Sequence, residues 1–209
     1  MSELVLINGA EHQPLFIFAH GAGADMHHDF MERVAQGLAQ KGIRVLRFNF
    51  PYMVKRALTG KKSPPDRAPK LLEAYAQVIE QYANGPVVIG GKSMGGRMAS
   101  LLWEHPQVAG VACLGYPFHP PGKPERFKGE HLAEIAKPCF ILQGERDTFG
   151  QREEFEHFVL SDQIRCAFIP DGDHSFKPRK SSGHTEPDNI QMVIELLSAY
   201  IFEVYQDAK

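Results

Sequence analysis

The sequence has 209 residues, of which 43% are hydrophobic and 23% are charged, and its formal net charge is −2 at pH 7. This balance is ordinary for a globular protein, and it gives no general attraction to nucleic acid or to an anionic membrane surface. No apolar run reaches the ~18 residues of a membrane span. The N-terminal residues carry an acid and no basic segment, unlike a signal peptide. We therefore expect a cytoplasmic protein with a single domain over residues 1–209.

Short apolar runs alternate along the chain with stretches in which apolar residues recur at helical spacing. Runs rich in β-branched and aromatic residues predict strands at 14–19, 43–48, 86–89, 108–114, 138–142 and 164–169, and 4–7 is a candidate antiparallel edge strand. Helices are predicted at 29–40, 67–83, 94–104, 150–160 and 188–205, and loops at 51–66 and 116–128. Because the strand runs are apolar on both faces, the predicted fold is α/β, a doubly wound and mostly parallel sheet with helices on both faces.

The three cysteines, Cys113, Cys139 and Cys166, all lie within predicted strands. No C-x-x-C pair is present, and the adjacent histidines His27 and His28 have no third ligand at a zinc-like spacing. We interpret the cysteines as reduced, buried thiols of a cytosolic protein, with a disulfide or a metal site as the alternative. The sequence therefore predicts neither a metal nor a cofactor.

Residues 90–97 read GGKSMGGR and fit two kinds of site. A phosphate-binding loop, Gly-x-x-x-x-Gly-Lys-Ser, needs several residues between strand and helix to surround the phosphates. Its first glycine would stand at position 86, which is Pro86, and the predicted strand runs directly into Gly91-Lys92-Ser93. No room is left for a phosphate cradle, so we reject a nucleotide site.

The same residues fit a nucleophile elbow, Gly-x-Ser-x-Gly, in which Ser93 is the nucleophile. The turn is so sharp that side chains two residues before and two residues after the serine would collide, and glycines stand at both places, Gly91 and Gly95. Gly96 lets the following helix approach the sheet closely. The alternative is that Ser93 only caps that helix.

A nucleophile elbow predicts an acid and then a histidine after later strands. Asp147 follows one predicted strand, and His174 follows the next. Because the carboxyl ends of parallel strands meet at one edge of a sheet, both side chains are expected near Ser93. Glu145 is a rival for the role of the acid. Asp173 either points into the site or caps a turn, and we favour the turn.

With Ser93, Asp147 and His174 in this order, the chain resembles the α/β-hydrolase family over nearly its whole length. It is most similar to small members without a lid domain, of the dienelactone-hydrolase and acyl-peptidase type. The motif GKSMGGR at residues 91–97 also resembles that of a subgroup whose animal relatives include a subunit of a chromatin complex.

The resemblance implies an oxyanion hole made of two backbone N–H groups. One belongs to Met94, the residue after the nucleophile, and the other to Ala22 in the loop that follows the first long strand, with Gly23 as the alternative. Small residues suit this loop because its backbone must closely approach the substrate oxygen. His20, which opens the loop, is interpreted as a structural residue that orients it.

These residues predict a serine hydrolase that cleaves an acyl bond of the carboxylic ester type through an acyl-enzyme. No stretch of the sequence is long enough for a lid domain, so an open site is expected. One alternative is a catalytically silent binding scaffold, although a scaffold has no physical need for a complete triad. Another is a thioesterase or a peptidase that uses the same triad.

The expected partner is a small acyl substrate, and cationic residues raise the question of its charge. Lysines and arginines are frequent in 51–70 and in 177–180, where they either form a solvated surface or favour an anionic substrate. Lys92, inside the elbow, either pairs with an acid or helps to bind an anion. The sequence does not indicate an oligomeric state.

Overall fold

The computed structural model describes residues 5–208, in which seven strands form one sheet. The strands are β1 (Val5–Asn8), β2 (Leu15–Ala19), β3 (Arg44–Phe48), β4 (Val87–Lys92), β5 (Val108–Leu114), β6 (Cys139–Gly144) and β7 (Ile164–Ile169). The α-helices are α1 (Asp29–Gln40), α2 (Pro51–Thr59), α3 (Ala68–Tyr82), α4 (Met94–Ser100) and α5 (Glu186–Asp207). Short 3-10 helices lie at Glu130–Glu134 and Arg152–His157.

The strand order is β1-β3-β2-β4-β5-β6-β7, and all neighbours are parallel except the pair of β1 and β3. The predicted doubly wound sheet and its antiparallel edge strand are therefore confirmed, although Leu4, the first residue of the predicted edge strand, lies outside the described residues. No lid domain is inserted between the elements of residues 5–208.

Helices cover both faces of the sheet and bury a separate apolar core on each. On one face α2, α3 and α4 pack over the side chains of alternate strand residues such as Ile17 and Ile89. On the other face α1 and α5 cover the intervening residues, such as Phe16 and Val88. Burial on both faces explains why the strand runs of the sequence are continuously apolar.

The loop predicted at 51–66 is wrong in its first half, which forms α2. The helix begins at Pro51, and Gly60, with φ 68°, follows its last residue. Proline in the first turn and glycine after the last are ordinary helix signals. The side chains of Tyr52 and Met53 are buried against the sheet, and this tertiary packing favours helix in Pro51–Thr59.

The predicted helices at 94–104 and 150–160 are shorter than their sequence patterns. The first ends at Ser100, and turns lead from there to Pro106. The second contains only the 3-10 helix Arg152–His157. A 3-10 helix has three residues per turn, which lets Phe155 within it and Phe158 directly after it pack on the same ring, that of Phe118.

The remaining sequence predictions concern the second loop and the cysteines. Residues 116–128 contain turns and bends but no helix or strand, as predicted. All three cysteines are free thiols, with Cys113 and Cys139 buried and Cys166 half-buried. Among residues 5–208, no helix combines the length and the apolar character needed to cross a bilayer.

Candidate active site

Ser93 occupies the sharp turn between β4 and α4, with φ 52° and ψ −117°. This backbone conformation is unfavourable for a residue with a side chain, at a cost of about 1–3 kcal/mol, and such strain concentrates at functional sites. The hydroxyl makes no capping hydrogen bond to α4. A role as a helix cap therefore does not account for the serine.

The glycines around Ser93 are required by close backbone contacts. A Cβ atom on Gly91 would lie 2.6 Å from the carbonyl oxygen of Ala19, and one on Gly95 would lie 2.5 Å from the same oxygen. A Cβ atom on Gly96 would lie 2.7 Å from the carbonyl oxygen of Gly91. The strand, the turn and the helix can pack this tightly only because these three positions lack side chains.

The buried hydroxyl of Tyr75 fixes the strand that leads into the elbow. Its oxygen lies 2.8 Å from the carbonyl oxygen of Ile17 and 2.7 Å from that of Gly90, which share its one hydrogen, and it accepts from the N–H of Gly90 at 3.0 Å. Since Tyr75 belongs to α3, these hydrogen bonds tie the helix to β2 and β4. The position of Ser93 is therefore set by the packed core as well as by its own turn.

The structure brings the three predicted triad residues into one hydrogen-bonded chain. Nε2 of His174 lies 2.9 Å from Oγ of Ser93, and Nδ1 of His174 lies 2.8 Å from Oδ2 of Asp147. Because a carboxylate only accepts, the Nδ1 atom carries the proton, and Nε2 is free to accept the hydrogen of the serine hydroxyl. His174 follows β7 and Asp147 follows β6, as the sequence predicts.

Asp147 is fully buried, and two groups besides His174 donate hydrogen bonds to its carboxylate. Nε2 of Gln143 donates to its Oδ2 atom at 3.0 Å, and the backbone N–H of Phe149 donates to its Oδ1 atom at 2.9 Å. Sequence reasoning missed Gln143, although it is the only polar side chain in the otherwise apolar strand β6. A polar residue at the end of such a strand is a signal that could have found it.

The rival acids make other contacts. Glu145 pairs with Arg152 at 2.7 Å and accepts the backbone N–H of Asp171 at 2.9 Å. Asp173 accepts the backbone N–H groups of Ser175 and Lys177 at 2.8 and 3.0 Å. Asp173 therefore caps a turn, as favoured from the sequence, and Glu145 organises the neighbouring loop.

The environment of His174 favours its neutral form. Burial is the main cause that lowers the pKa of the imidazole, and the positive charge of Lys92 lowers it further. The hydrogen bond to Asp147 acts in the opposite direction but does not outweigh burial. The ring of Phe149 lies 4.3 Å from the imidazole, centroid to centroid. A neutral imidazole is the form that can accept a proton from a serine.

His20 is structural, as the sequence predicts. Its Nε2 atom accepts the backbone N–H of Phe50 at 3.0 Å, so its Nδ1 atom is the donor to the carbonyl oxygen of Gly21 at 2.8 Å. Burial lowers the pKa of His20 to about 4. The hydroxyl of Tyr52 adds a hydrogen bond of 3.0 Å to the carbonyl oxygen of Ala22. These contacts fix the small-residue loop beside Ser93.

The two amides predicted to form the oxyanion hole are available for hydrogen bonding. Among residues 5–208, the N–H groups of Ala22 and Met94 have no acceptor. Ala22 lies beside Ser93 in the wall of the same cavity, and Met94 directly follows Ser93 at the first position of α4. Their assignment as oxyanion donors stays a prediction.

A cavity of about 380 Å³ opens next to the serine. It is lined by Gly21, Ala22, Gly23, Ala24, His28, Phe30, Met31, Lys92, Ser93, Phe149, His174 and Ser175. The lining is largely apolar, and its polar side chains are two serines, two histidines and one lysine, which suits a small organic molecule. A larger cavity of about 460 Å³ between α2 and α3 contains none of the triad residues.

Two of the cations that the sequence places near the site are paired with acids. Lys70 lies 2.9 Å from Asp66, and Nε of Arg179 lies 2.8 Å from Asp171.

Within residues 5–208, no group of three or more His, Cys, Asp or Glu side chains is arranged to hold a metal ion.

Comparison with known proteins places the chain in a family. The family model described as an alpha/beta hydrolase domain matches residues 12–202. The chain therefore belongs to the α/β-hydrolase family, as the resemblance implies.

Solved structures with the same fold include several hydrolases. The chain is similar to Est1E from Butyrivibrio proteoclasticus, described with ferulic acid bound, at 17% identity and a TM-score of 0.70, over 97% of this chain and 95% of that one. It is similar to dienelactone hydrolase from Anabaena variabilis at 21% identity and a TM-score of 0.70, over 95% and 90% of the two chains. A thioesterase domain from the curacin biosynthetic pathway matches at 13% identity and a TM-score of 0.68, over 95% and 94%.

Proposed function

We propose that the protein is a serine hydrolase that cleaves a carboxylic ester-type acyl bond through a covalent acyl-enzyme. The observation that carries the proposal is the continuous hydrogen-bonded chain from Ser93 through His174 to Asp147, with distances of 2.9 and 2.8 Å. Membership of the α/β-hydrolase family supports it, as does the cavity beside the serine.

In the acylation step, Oγ of Ser93 attacks the substrate carbonyl carbon while His174 takes the hydroxyl proton on Nε2. Asp147 stabilises the imidazolium that forms and keeps the proton of Nδ1 in place. The amides of Met94 and Ala22 bind the negative oxygen of the tetrahedral intermediate. His174 then protonates the leaving alcohol as the carbon–oxygen bond breaks, and the acyl group stays on Ser93.

In the deacylation step, a water molecule replaces the alcohol. His174 removes a proton from the water, whose oxygen attacks the acyl carbon. The second tetrahedral intermediate collapses to release the carboxylic acid, and Ser93 regains its proton from the imidazolium. The substrate proposed for this site is a small acyl compound that fits a cavity of about 380 Å³.

Reaction with a fluorophosphonate probe tests the proposal. An activated serine displaces fluoride from the phosphorus atom, so labelling reports the nucleophile whatever the natural substrate is. We expect the intact protein to be labelled on Ser93, and the variants Ser93→Ala and His174→Ala to remain unlabelled. The exposed serine Ser181, which follows the site in sequence, supplies the matched control Ser181→Ala, which should label normally.

Folded protein that does not react with the probe would overturn the proposal and favour a binding scaffold. Labelling followed by a preference for acyl thioesters over the matching oxygen esters would keep the nucleophile and change the substrate class. Both outcomes are read on the same set of variants, with circular dichroism as the check that each variant is folded.

A further inference from the structure

Lys92 brings a positive charge into the cavity beside the nucleophile. It is the last residue of β4 and directly precedes Ser93, and it lines the same cavity. Its Nζ atom lies 5.8 Å from the centroid of the Phe30 ring. A Cβ atom on Gly115 would lie 2.9 Å from this Nζ atom and 3.4 Å from Nδ1 of His174. The ammonium group therefore lies close to the imidazole, in space that the missing side chain of Gly115 leaves open.

The ammonium group of Lys92 has no salt-bridge partner among residues 5–208. The nearest carboxylates on the neighbouring loops, Asp147 and Asp173, are engaged by hydrogen bonds from other groups. Lys92 is half-buried, and a partly shielded charge without a partner is unfavourable. The contact with Phe30 offsets only part of this cost, since a cation–π contact at this distance is weak.

The lowered pKa of Lys92 is consistent with an ammonium group that has no anionic partner in the protein. Burial lowers the pKa of its ammonium group to about 8, against the attraction of Asp147 and Asp173. The group is therefore still mostly protonated at pH 7. A bound anion would favour the protonated form further, because an opposite charge at close range raises the pKa of a lysine.

Resting on the proposed ester hydrolysis, we propose that Lys92 binds a carboxylate of the substrate and that the enzyme selects small half-esters of dicarboxylic acids. One ammonium group in a largely apolar cavity matches a single negative charge. A phosphate dianion would leave an unpaired charge there, which is costly. The cavity volume of about 380 Å³ limits the acyl group to a short chain.

A matched pair of esters tests this selectivity. Monoethyl succinate carries a carboxylate that is ionised at pH 7, and ethyl levulinate carries a neutral acetyl group of similar shape in its place. Hydrolysis is followed by proton release in a pH-stat. Because a hydrogen bond to a charged group contributes about 1.5–3 kcal/mol, we expect kcat/KM for the half-ester to exceed that for the neutral ester by roughly 10- to 100-fold.

Lys92→Met keeps the apolar stem of the side chain and removes its charge. We expect it to abolish the preference by lowering kcat/KM for the half-ester about 10- to 100-fold, with a much smaller effect on ethyl levulinate. The control is Lys180→Met, which removes an exposed cation from the loop after His174 and should leave the preference intact. Equal kcat/KM for the two esters in the intact enzyme would overturn the inference, as would a preference that survives Lys92→Met.

Fluorophosphonate labelling separates failure of this inference from failure of the proposed function. Absence of labelling on Ser93 rejects the hydrolase itself. If Ser93 is labelled but neither ester is hydrolysed, each ester is used to compete with the probe. Stronger protection by the half-ester, lost in Lys92→Met, would support carboxylate binding. Equal protection by both esters, or protection by neither, would reject it.

Discussion

Two loops at the carboxyl edge of the sheet each place a shielded histidine near the elbow, and their bonding differs. Both ring nitrogens of His20 are bonded to the backbone, to the Phe50 N–H and to the Gly21 carbonyl oxygen. The ring nitrogens of His174 are bonded to a carboxylate and to a serine hydroxyl. Burial lowers the pKa of both imidazoles. Burial alone therefore does not distinguish a structural histidine from a reactive one, whereas the bonding partners do.

The largest expected effect comes from removing the reactive histidine. His174→Ala should lower kcat for 4-nitrophenyl acetate by roughly 10⁶-fold, because the serine then has no base, and it should change the thermal unfolding midpoint little. Release of 4-nitrophenolate measures the rate. His184→Ala is the control, since this exposed histidine follows the same loop and should retain full activity. An active His174→Ala variant would show that His174 is not the catalytic base, and His174 would then not differ from His20 in function.

The carboxylate behind that histidine gives the next largest effect. Asp147→Asn should lower kcat about 10⁴-fold because the amide favours the wrong tautomer of His174. Glu145→Gln, which alters a carboxylate two residues away that pairs with Arg152, should change kcat less than about threefold. If the two variants lose activity equally, the acid has been assigned to the wrong residue.

Removal of the structural histidine, His20, should lower the stability of the fold more than the removal of His174 does, and should lower kcat less. His20→Ala leaves the buried Phe50 N–H without its acceptor, at a cost of about 1–3 kcal/mol, and adds a cavity. We expect a clearly lower urea midpoint and a loss of kcat in the folded protein of at most ~100-fold, through the displaced loop. A loss as large as that of His174→Ala at unchanged stability would show that His20 is reactive.

The smallest effect is a shift in the pH profile. Activity requires neutral His174 and is lost as the pH falls through its pKa, which burial lowers from the ordinary value of a histidine. Asp147, Asp173 and Lys92 are the charged groups that act on this imidazole. Because the positive charge of Lys92 lowers its pKa, Lys92→Met should move the acid limb for 4-nitrophenyl acetate to higher pH. A limb that stays in place, or moves to lower pH, would contradict this electrostatic role.

The sheet and the triad could be predicted from sequence because both leave short-range signals. Buried strands read as continuous apolar runs, and the elbow requires glycine on either side of Ser93. The loop error at 51–66 has a different origin, since α2 depends on burial of Tyr52 and Met53 against distant strands. Tyr52 itself hydrogen-bonds across the fold to the carbonyl oxygen of Ala22, and no local sequence pattern predicts such a contact.

Whether the charge of Lys92 is neutralised could not be predicted from the sequence. Its place in the elbow is visible in the sequence, but whether an acid neutralises it depends on loops that follow β6 and β7. In the structure those acids are bonded elsewhere, and Gly115 leaves space for the ammonium group. The charge of the cavity is therefore a property of the assembled loops.

The most direct test of the serine nucleophile is to locate the acyl group during turnover. The enzyme is mixed with 4-nitrophenyl acetate, quenched in acid within seconds, digested and examined by mass spectrometry. We predict acetylation of the peptide that contains Ser93, and a loss of 4-nitrophenolate release in Ser93→Ala. Unchanged release in Ser93→Ala, with no acetyl group on Ser93 of the intact enzyme, would contradict a serine nucleophile in this protein.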